Sequence, residues 1–175
     1  LPSRPMEIYD GAIPSGNSVS LDNLLRLSSL TGKERYAELA GRMAARFSSR
    51  IESNPIAYTH FLSGLDFGFG PSSEVVICSP GDERGAEGML SSLHEQYLPR
   101  TVTLVVSTEG TKRDLNIISP FTKDMKPVGD TATAYVCTGH SCRRPVTDIH
   151  EMLDLLKTDG YNSGIFTAEE KNGKD

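Results

Sequence analysis

With 175 residues, of which 37% are hydrophobic, the chain is long enough to bury a core without disulfide or metal staples. A formal net charge of −5 opposes binding to nucleic acid, and no apolar run approaches the ~20 residues of a membrane-spanning helix. Three cysteines do not suit a disulfide framework, so we expect a soluble protein in a reducing, cytoplasmic compartment. Because the sequence begins Leu1-Pro2, a piece of a longer protein is also expected.

Residues 1–70 predict antiparallel helices. Leucines at helical spacing mark a first helix over 21–30, which the Thr31-Gly32 pair ends. Thr31 and Glu34 have the spacing of a capping box, which would start a second helix at once and form a helical hairpin. Asn54-Pro55 then supplies a cap and a first-turn proline for a third helix.

After residue 70 the pattern becomes that of an α/β unit. The β-rich runs 74–78 and 101–106 enclose a helical period, which together make a βαβ unit. A third strand over 131–137 leads through a polar loop to a helix around 149–156, whereas residues 107–130 show no regular period. The predicted fold is therefore mixed α and β: a helical segment over 1–70, a small three-layer α/β unit with a mainly parallel sheet over 71–157, and a flexible tail over 158–175.

The cysteines are the best candidates for chemistry. If the three strands are parallel, Cys78 and Cys137 end on the sheet edge where open α/β sheets place ligands. Cys142 precedes a helix and adjoins Arg143-Arg144, and both features favour a thiolate. Gly139 would let the intervening loop turn back, so Cys142 and Cys137 are candidate catalytic residues of a reversible thiol pair. The alternative is that Cys78 and Cys137 are small hydrophobic residues at buried strand ends and that Cys142 is an ordinary loop thiol.

Metal and anion sites are weaker hypotheses. Cys78, Cys137, His140 and Cys142 are ligand types that zinc accepts, but their spacing matches no common zinc site, so we predict no metal and no other cofactor. The loop over 79–85 lies where an anion site would be expected, between a strand and a helix. Its acidic residues Asp82 and Glu83 argue against phosphate, and it lacks the motifs of a P-loop or a dinucleotide fold.

The opening segment, residues 9–18, is unusually rich in glycine, proline and polar side chains. Its polar residues suit hydrogen bonding to a polyhydroxylated ligand, while Gly11 and Gly16 would let the backbone of this segment approach such a ligand closely. The candidate ligand-binding residues are Asp10, Ser15, Asn17 and Ser18. The serines and the asparagine suit a helix cap equally well, so site and turn chemistry remain open alternatives.

Taken in order, these motifs resemble the C-terminal portion of the YyaL-type proteins, which include the spermatogenesis-associated thioredoxin-domain-containing proteins. The resemblance covers about residues 9–157. It rests on the run from Asp10 to Ser18, on 24–27, 30–32, 74–77, 97–100 and 134–137, and on Cys142 and Pro145.

The resemblance implies a larger protein that begins with a thioredoxin-like domain and continues as an α/α toroid similar to six-hairpin glycosidases. The helical segment over 1–70 would supply the closing helices of that toroid, and the α/β unit would follow it. The full-length protein would be a sugar-modifying enzyme or an oxidoreductase, and the remainder of that chain would be this region's partner. Our leading hypothesis is a region that is not a complete enzyme by itself and that lends residues 10–18 to a toroid cavity for a small sugar-like ligand. A thiol–disulfide redox module and a structural cap or interaction domain are the alternatives.

Overall fold

The computed structural model describes residues 6–81, 83–107 and 109–160. Short 3-10 helices cover Pro55–Tyr58, Glu83–Ala86 and Pro120–Thr122. The longer elements are α1 (Gly16–Thr31), α2 (Glu34–Ser53), α3 (Thr59–Phe69), β1 (Ser73–Cys78), α4 (Glu87–His94), β2 (Thr101–Val106), α5 (Glu109–Ile118), β3 (Thr133–Thr138), β4 (Ser141–Cys142) and α6 (Ile149–Gly160). Helix α6 runs three residues into the predicted tail, and residues 161–175 of that tail lie outside the described part.

The three predicted helices of the first half are present and share one core. Phe61 of α3 is fully buried and meets Phe47 of α2 edge to face, with 5.9 Å between ring centroids. Helix α1 ends at Gly32, whose φ of 67° is a left-handed conformation that glycine adopts without strain. The predicted capping box is wrong, because Thr31 is the last residue of α1 and its hydroxyl donates to the Leu27 carbonyl at 2.6 Å.

The sheet has the strand order β2-β1-β3-β4, and its mixed α/β class is confirmed. Strands β1 and β2 are parallel, as the βαβ pattern predicts, whereas β3 runs antiparallel to β1. The three strands are therefore not all parallel, and Cys78 and Cys137 do not end on the same edge of the sheet. Cys78 pairs with Thr133 at one end of β3, and Cys137 pairs with Glu74 at the other.

The connection between β2 and β3 explains the reversed strand. Its first part, for which the sequence shows no period, forms α5, and at the end of α5 the Ser119 hydroxyl donates to the Leu30 carbonyl at 2.5 Å. Leu30 adjoins Ser29, which contacts the start of β1. Residues 120–132 then return along the sheet, so that β3 begins beside Cys78, at the carboxyl end of β1.

Helices cover both faces of the sheet, which gives three layers. Helices α4 and α6 pack on the face that carries Val75, Ile77 and Val136. The opposite face carries Val76, Cys78 and Cys137, and Leu115 of α5 packs there together with Met125. Among the helices that the structure describes, none is long and apolar enough to cross a membrane.

The helical segment is joined to the α/β unit by polar contacts. Arg26 of α1 lies 4.7 Å above the Phe67 ring, and its Nη2 donates to the Pro99 carbonyl at 3.2 Å. Arg100 Nε donates to Asp66 of α3 at 2.9 Å, and this hydrogen bond holds the pKa of the Asp66 carboxyl below its usual value. The two predicted parts of the chain therefore pack against each other through specific side chains.

Candidate functional site

The Asp10 carboxylate organises the opening segment. Its Oδ1 accepts the Ser15 N–H at 2.8 Å, and its Oδ2 accepts the N–H groups of His60 and Phe61 at 2.9 and 3.0 Å. Burial alone would raise the pKa of this carboxyl, but the hydrogen bonds from Ser15, Phe61, Ser18 and His60 together lower it. Asp10 therefore caps α3 from about fifty positions away, a role that the sequence had suggested for Asn54.

The other three predicted ligand residues also bond to the chain itself. Ser15 is the N-cap of α1, and its Oγ accepts the Ser18 N–H at 3.1 Å. The hydroxyls of Ser15 and Ser18 lie 2.8 Å apart and both side chains are buried. Asn17 Nδ2 donates to the Glu7 carbonyl at 2.5 Å. The structure thus brings all four residues together, and it engages each of them in fixing the local backbone.

Exposed apolar side chains surround this capped segment. The Asp10 N–H donates to the Ala57 carbonyl at 2.9 Å, so the opening segment lies against the turn before α3. Large apolar side chains in these two stretches are exposed: Met6 at 51%, Tyr9 at 59%, Ile13 at 81% and Ile56 at 84%. We call these four residues the opening surface.

A second cluster contains the cysteine pair, at the other end of the sequence. Strands β3 and β4 form a hairpin in which Thr138 faces Ser141, and Gly139 and His140 make the turn. Their φ angles are 55° and 63°, the left-handed values that tight two-residue hairpins require. The next pair along the hairpin is Cys137 and Cys142, whose sulfurs are bonded at 2.05 Å. The predicted role of Gly139 in turning the loop is therefore confirmed.

The two sulfur-bearing residues differ in exposure. Cys137 is fully buried in the sheet, whereas Cys142 is exposed at its edge. Of the two arginines next to Cys142, Arg144 pairs with Glu151 of α6, and the backbone N–H of Arg143 donates to the Val136 carbonyl. Cys78 is a free, buried thiol at the far end of β1, and burial raises its pKa to about 11. Within the described ranges no group of three potential ligands could hold a metal ion.

A buried carboxylate connects this hairpin to the helices. Glu74 of β1 is only 2% exposed, and its Oε1 accepts the Ser29 hydroxyl of α1 at 2.7 Å. Its Oε2 accepts the His140 N–H at 3.1 Å, which stabilises the left-handed backbone of that residue. His140 Nε2 lies 2.6 Å from the Ser29 carbonyl, and because a carbonyl only accepts, Nε2 carries the proton.

The imidazole of His140 is enclosed by the same elements. The Phe121 ring lies 4.5 Å from it, centroid to centroid, and a Cβ at Gly32 would lie 3.2 Å from its Cε1. We call Ser29, Glu74 and His140 the connecting triad. Sequence reasoning missed it, although one signal was present: a glutamate in a strand of which every residue is buried must find hydrogen-bond donors.

The chain is similar to much longer curated proteins. Spermatogenesis-associated protein 20 of Homo sapiens is 32% identical to it over 156 residues, which is 89% of this chain and 20% of the relative. The protein of that name from Rattus norvegicus gives the same figures. An uncharacterized protein of Caenorhabditis elegans is 31% identical over 154 residues, 87% of this chain and 20% of the relative. The chain thus spans about a fifth of the length of these relatives. No family model matches it, and neither does any solved structure.

The Asp10 cap predicts a pH-dependent stability. Because folding lowers the pKa of this carboxyl, its contribution to the free energy of unfolding is complete above the unfolded value of about 4. The contribution is lost as the pH falls through the lower folded value. We expect Asp10→Asn to cost about 2 kcal/mol at pH 7 and less at low pH, measured by urea unfolding. Asp114→Asn, on the exposed side of α5, is the control and should change little; an equal loss at every pH would contradict this account.

Because Glu74 accepts hydrogen bonds from two parts of the fold, we expect it to contribute more to the free energy of unfolding than a single hydrogen bond would. Glu74→Ala leaves the Ser29 hydroxyl and the His140 N–H without their acceptor, so we expect a loss of about 2–4 kcal/mol in urea unfolding. Glu38→Ala, which removes an exposed carboxylate from α2, should change the free energy by less than about 0.5 kcal/mol. A Glu74→Ala chain as stable as the Glu38→Ala chain would show that the triad contributes nothing.

Proposed function

We propose that this chain is the C-terminal region of a YyaL-type, thioredoxin-domain-containing protein, and that its Cys137–Cys142 pair undergoes thiol–disulfide exchange. The similarity to proteins of which the chain spans only 20% supports the first part of the proposal. The remainder of such a protein is then the main partner of this region.

The unequal exposure of the two cysteine residues carries the second part. Thiol–disulfide exchange needs an attacking thiolate to reach one sulfur and the other sulfur to leave. An incoming thiolate has access to Cys142 at the sheet edge, whereas Cys137 is fully buried in the cluster that contains Val76 and Met125. Cys142 is therefore the sulfur that is attacked, and Cys137 is the leaving group.

The exchange balances with a dithiol as the reductant. Its first thiolate attacks Cys142 Sγ, the Cys137–Cys142 bond breaks, and Cys137 leaves as a thiolate that takes a proton. The second thiol of the partner, as a thiolate, then attacks the partner sulfur of this mixed disulfide and releases Cys142. Two electrons pass from the dithiol to the pair. In the opposite direction Cys142 attacks a partner's disulfide and Cys137 resolves the intermediate.

A second candidate function concerns the opening surface. Its exposed apolar side chains favour contact with the rest of a longer protein, because exposed apolar groups of this size gain from being covered. In that assembly residues 10–18 would line a cavity for a small polyhydroxylated ligand, as the resemblance implies, with Tyr9 as a stacking surface. Asp10, Ser15, Asn17 and Ser18 would act there mainly by holding the backbone, since their polar atoms are already engaged.

The exchange proposal is tested by trapping the mixed disulfide. The oxidised chain is incubated with a thioredoxin whose second active-site cysteine is replaced by serine, and the linked peptides are identified by mass spectrometry. We expect the bond to form at Cys142, because it is the exposed residue of the pair. Cys78 is an internal control, since its buried thiol should remain unlinked.

Two outcomes would contradict the proposal. One is a mixed disulfide at Cys137, and the other is a pair that phosphines reduce but that no dithiol protein attacks.

A matched pair of variants tests which cysteine reacts. Reduced Cys137→Ser chain should form a stable mixed disulfide with an oxidised partner. Reduced Cys142→Ser chain should form at least about 10-fold less, because its two remaining thiols, Cys78 and Cys137, are buried.

A further inference from the structure

A cleft opens at the carboxyl end of the parallel strands β1 and β2. Its volume is about 310 Å³, and it lies between the loop that follows Cys78 and the segment that returns from α5 to β3. Cys78 is about 13 Å along β1 from Glu74, at 3.3 Å per residue. The cleft is therefore separate from the connecting triad and from the cysteine hairpin.

The walls of this cleft divide into an apolar and a polar side. Val106, Met125 and Pro127 form the apolar side, and the first two are at most 7% exposed. On the polar side lie Ser79 and Ser107, two serines that are 4% and 5% exposed. Buried hydroxyl groups beside an apolar wall are the usual composition of a small-molecule site.

The polar side also holds a cation. Lys112 of α5 lines the cleft and is only partly exposed, and its charge acts on the buried Cys78 thiol below. Within the part of the chain that the structure describes, no carboxylate forms an ion pair with Lys112. A partly buried ammonium group gains most from a negative charge that binds next to it.

We infer that this cleft binds a small organic carboxylate. The carboxylate meets Lys112 and the Ser107 hydroxyl, and the apolar body of the ligand lies on Val106 and Met125. The one ammonium group on the cleft wall matches a single negative charge, so the inference is for a carboxylate and not for a phosphate dianion. The site does not depend on the thiol exchange proposed above, since it shares no residue with the hairpin.

The inference is tested with three probes that share a phenyl ring and differ in their polar group. Benzoate, its neutral analogue benzamide, and phenyl phosphate are titrated against the full chain, and dissociation constants are measured by ligand-observed NMR. We expect benzoate to bind at least about 10-fold more tightly than benzamide, because only benzoate offers a charge to Lys112. Equal affinities, no benzoate binding, or tighter binding of phenyl phosphate would each overturn the assignment.

Variants on α5 locate the binding. Lys112→Gln should remove the preference for benzoate, and Lys112→Arg, which keeps the charge, should retain most of it. Arg113→Gln removes the same charge from the neighbouring, exposed position and should leave the benzoate affinity within about 2-fold of wild type, a change of about 0.4 kcal/mol. A Lys112→Gln chain that folds, as judged by circular dichroism, and still prefers benzoate would overturn the inference.

Discussion

The buried carboxylate of Glu74 is the constraint on which the arrangement of this chain depends. A charged group in a fully buried strand is costly unless donors surround it, and its two oxygens take their donors from different parts of the fold. Ser29 comes from the last turn of α1, in the helical segment, and His140 comes from the turn of the β3–β4 hairpin. The same interaction therefore positions the helices on the sheet and holds a non-glycine residue in a left-handed conformation.

This arrangement gives the sheet two ends with different chemistry. At the Glu74 end, the hairpin presents Cys142 to solvent while Cys137 stays buried beside β1. At the Cys78 end, two parallel strands stop together and leave the cleft that Lys112 lines. The antiparallel direction of β3 separates the two ends, because it carries Cys137 away from Cys78. The exchange proposed for the hairpin and the anion proposed for the cleft therefore act at independent sites.

The sequence predicted the elements that short-range patterns specify. Helical periods located α1, α2 and α3, and the βαβ pattern located the parallel pair β1 and β2. Helix α5 was missed because only Leu115 of its apolar residues packs in the core, while Ile117 and Ile118 remain exposed. The apolar pattern of a strand carries no information about its direction. The direction of β3 could be predicted only from the connection that contains α5, and that helix was missed.

The same distinction applies to the candidate sites. Cys137 and Cys142 are close in sequence and share one turn, so their pairing could be predicted. The partners of Asp10 and Glu74 could not, because the N–H groups of His60 and Phe61 and the side chain of Ser29 reach these carboxylates only through the tertiary fold. Asp10, which the sequence presents as a ligand-binding residue, thus caps α3. Glu74, to which the sequence analysis assigns no role, lies at the centre of the interface between the helical segment and the hairpin.

A double-mutant cycle between Ser29→Ala and His140→Gly tests the central claim most directly. Serine replacement removes the hydroxyl donor to Glu74, and glycine keeps the left-handed backbone while it removes the ring that bonds to the Ser29 carbonyl. If the triad acts as one unit, the two losses in the free energy of unfolding should differ from additivity by at least about 1 kcal/mol. Additive losses, within about 0.5 kcal/mol, would contradict the account, because the helical segment and the hairpin would then be stabilised separately.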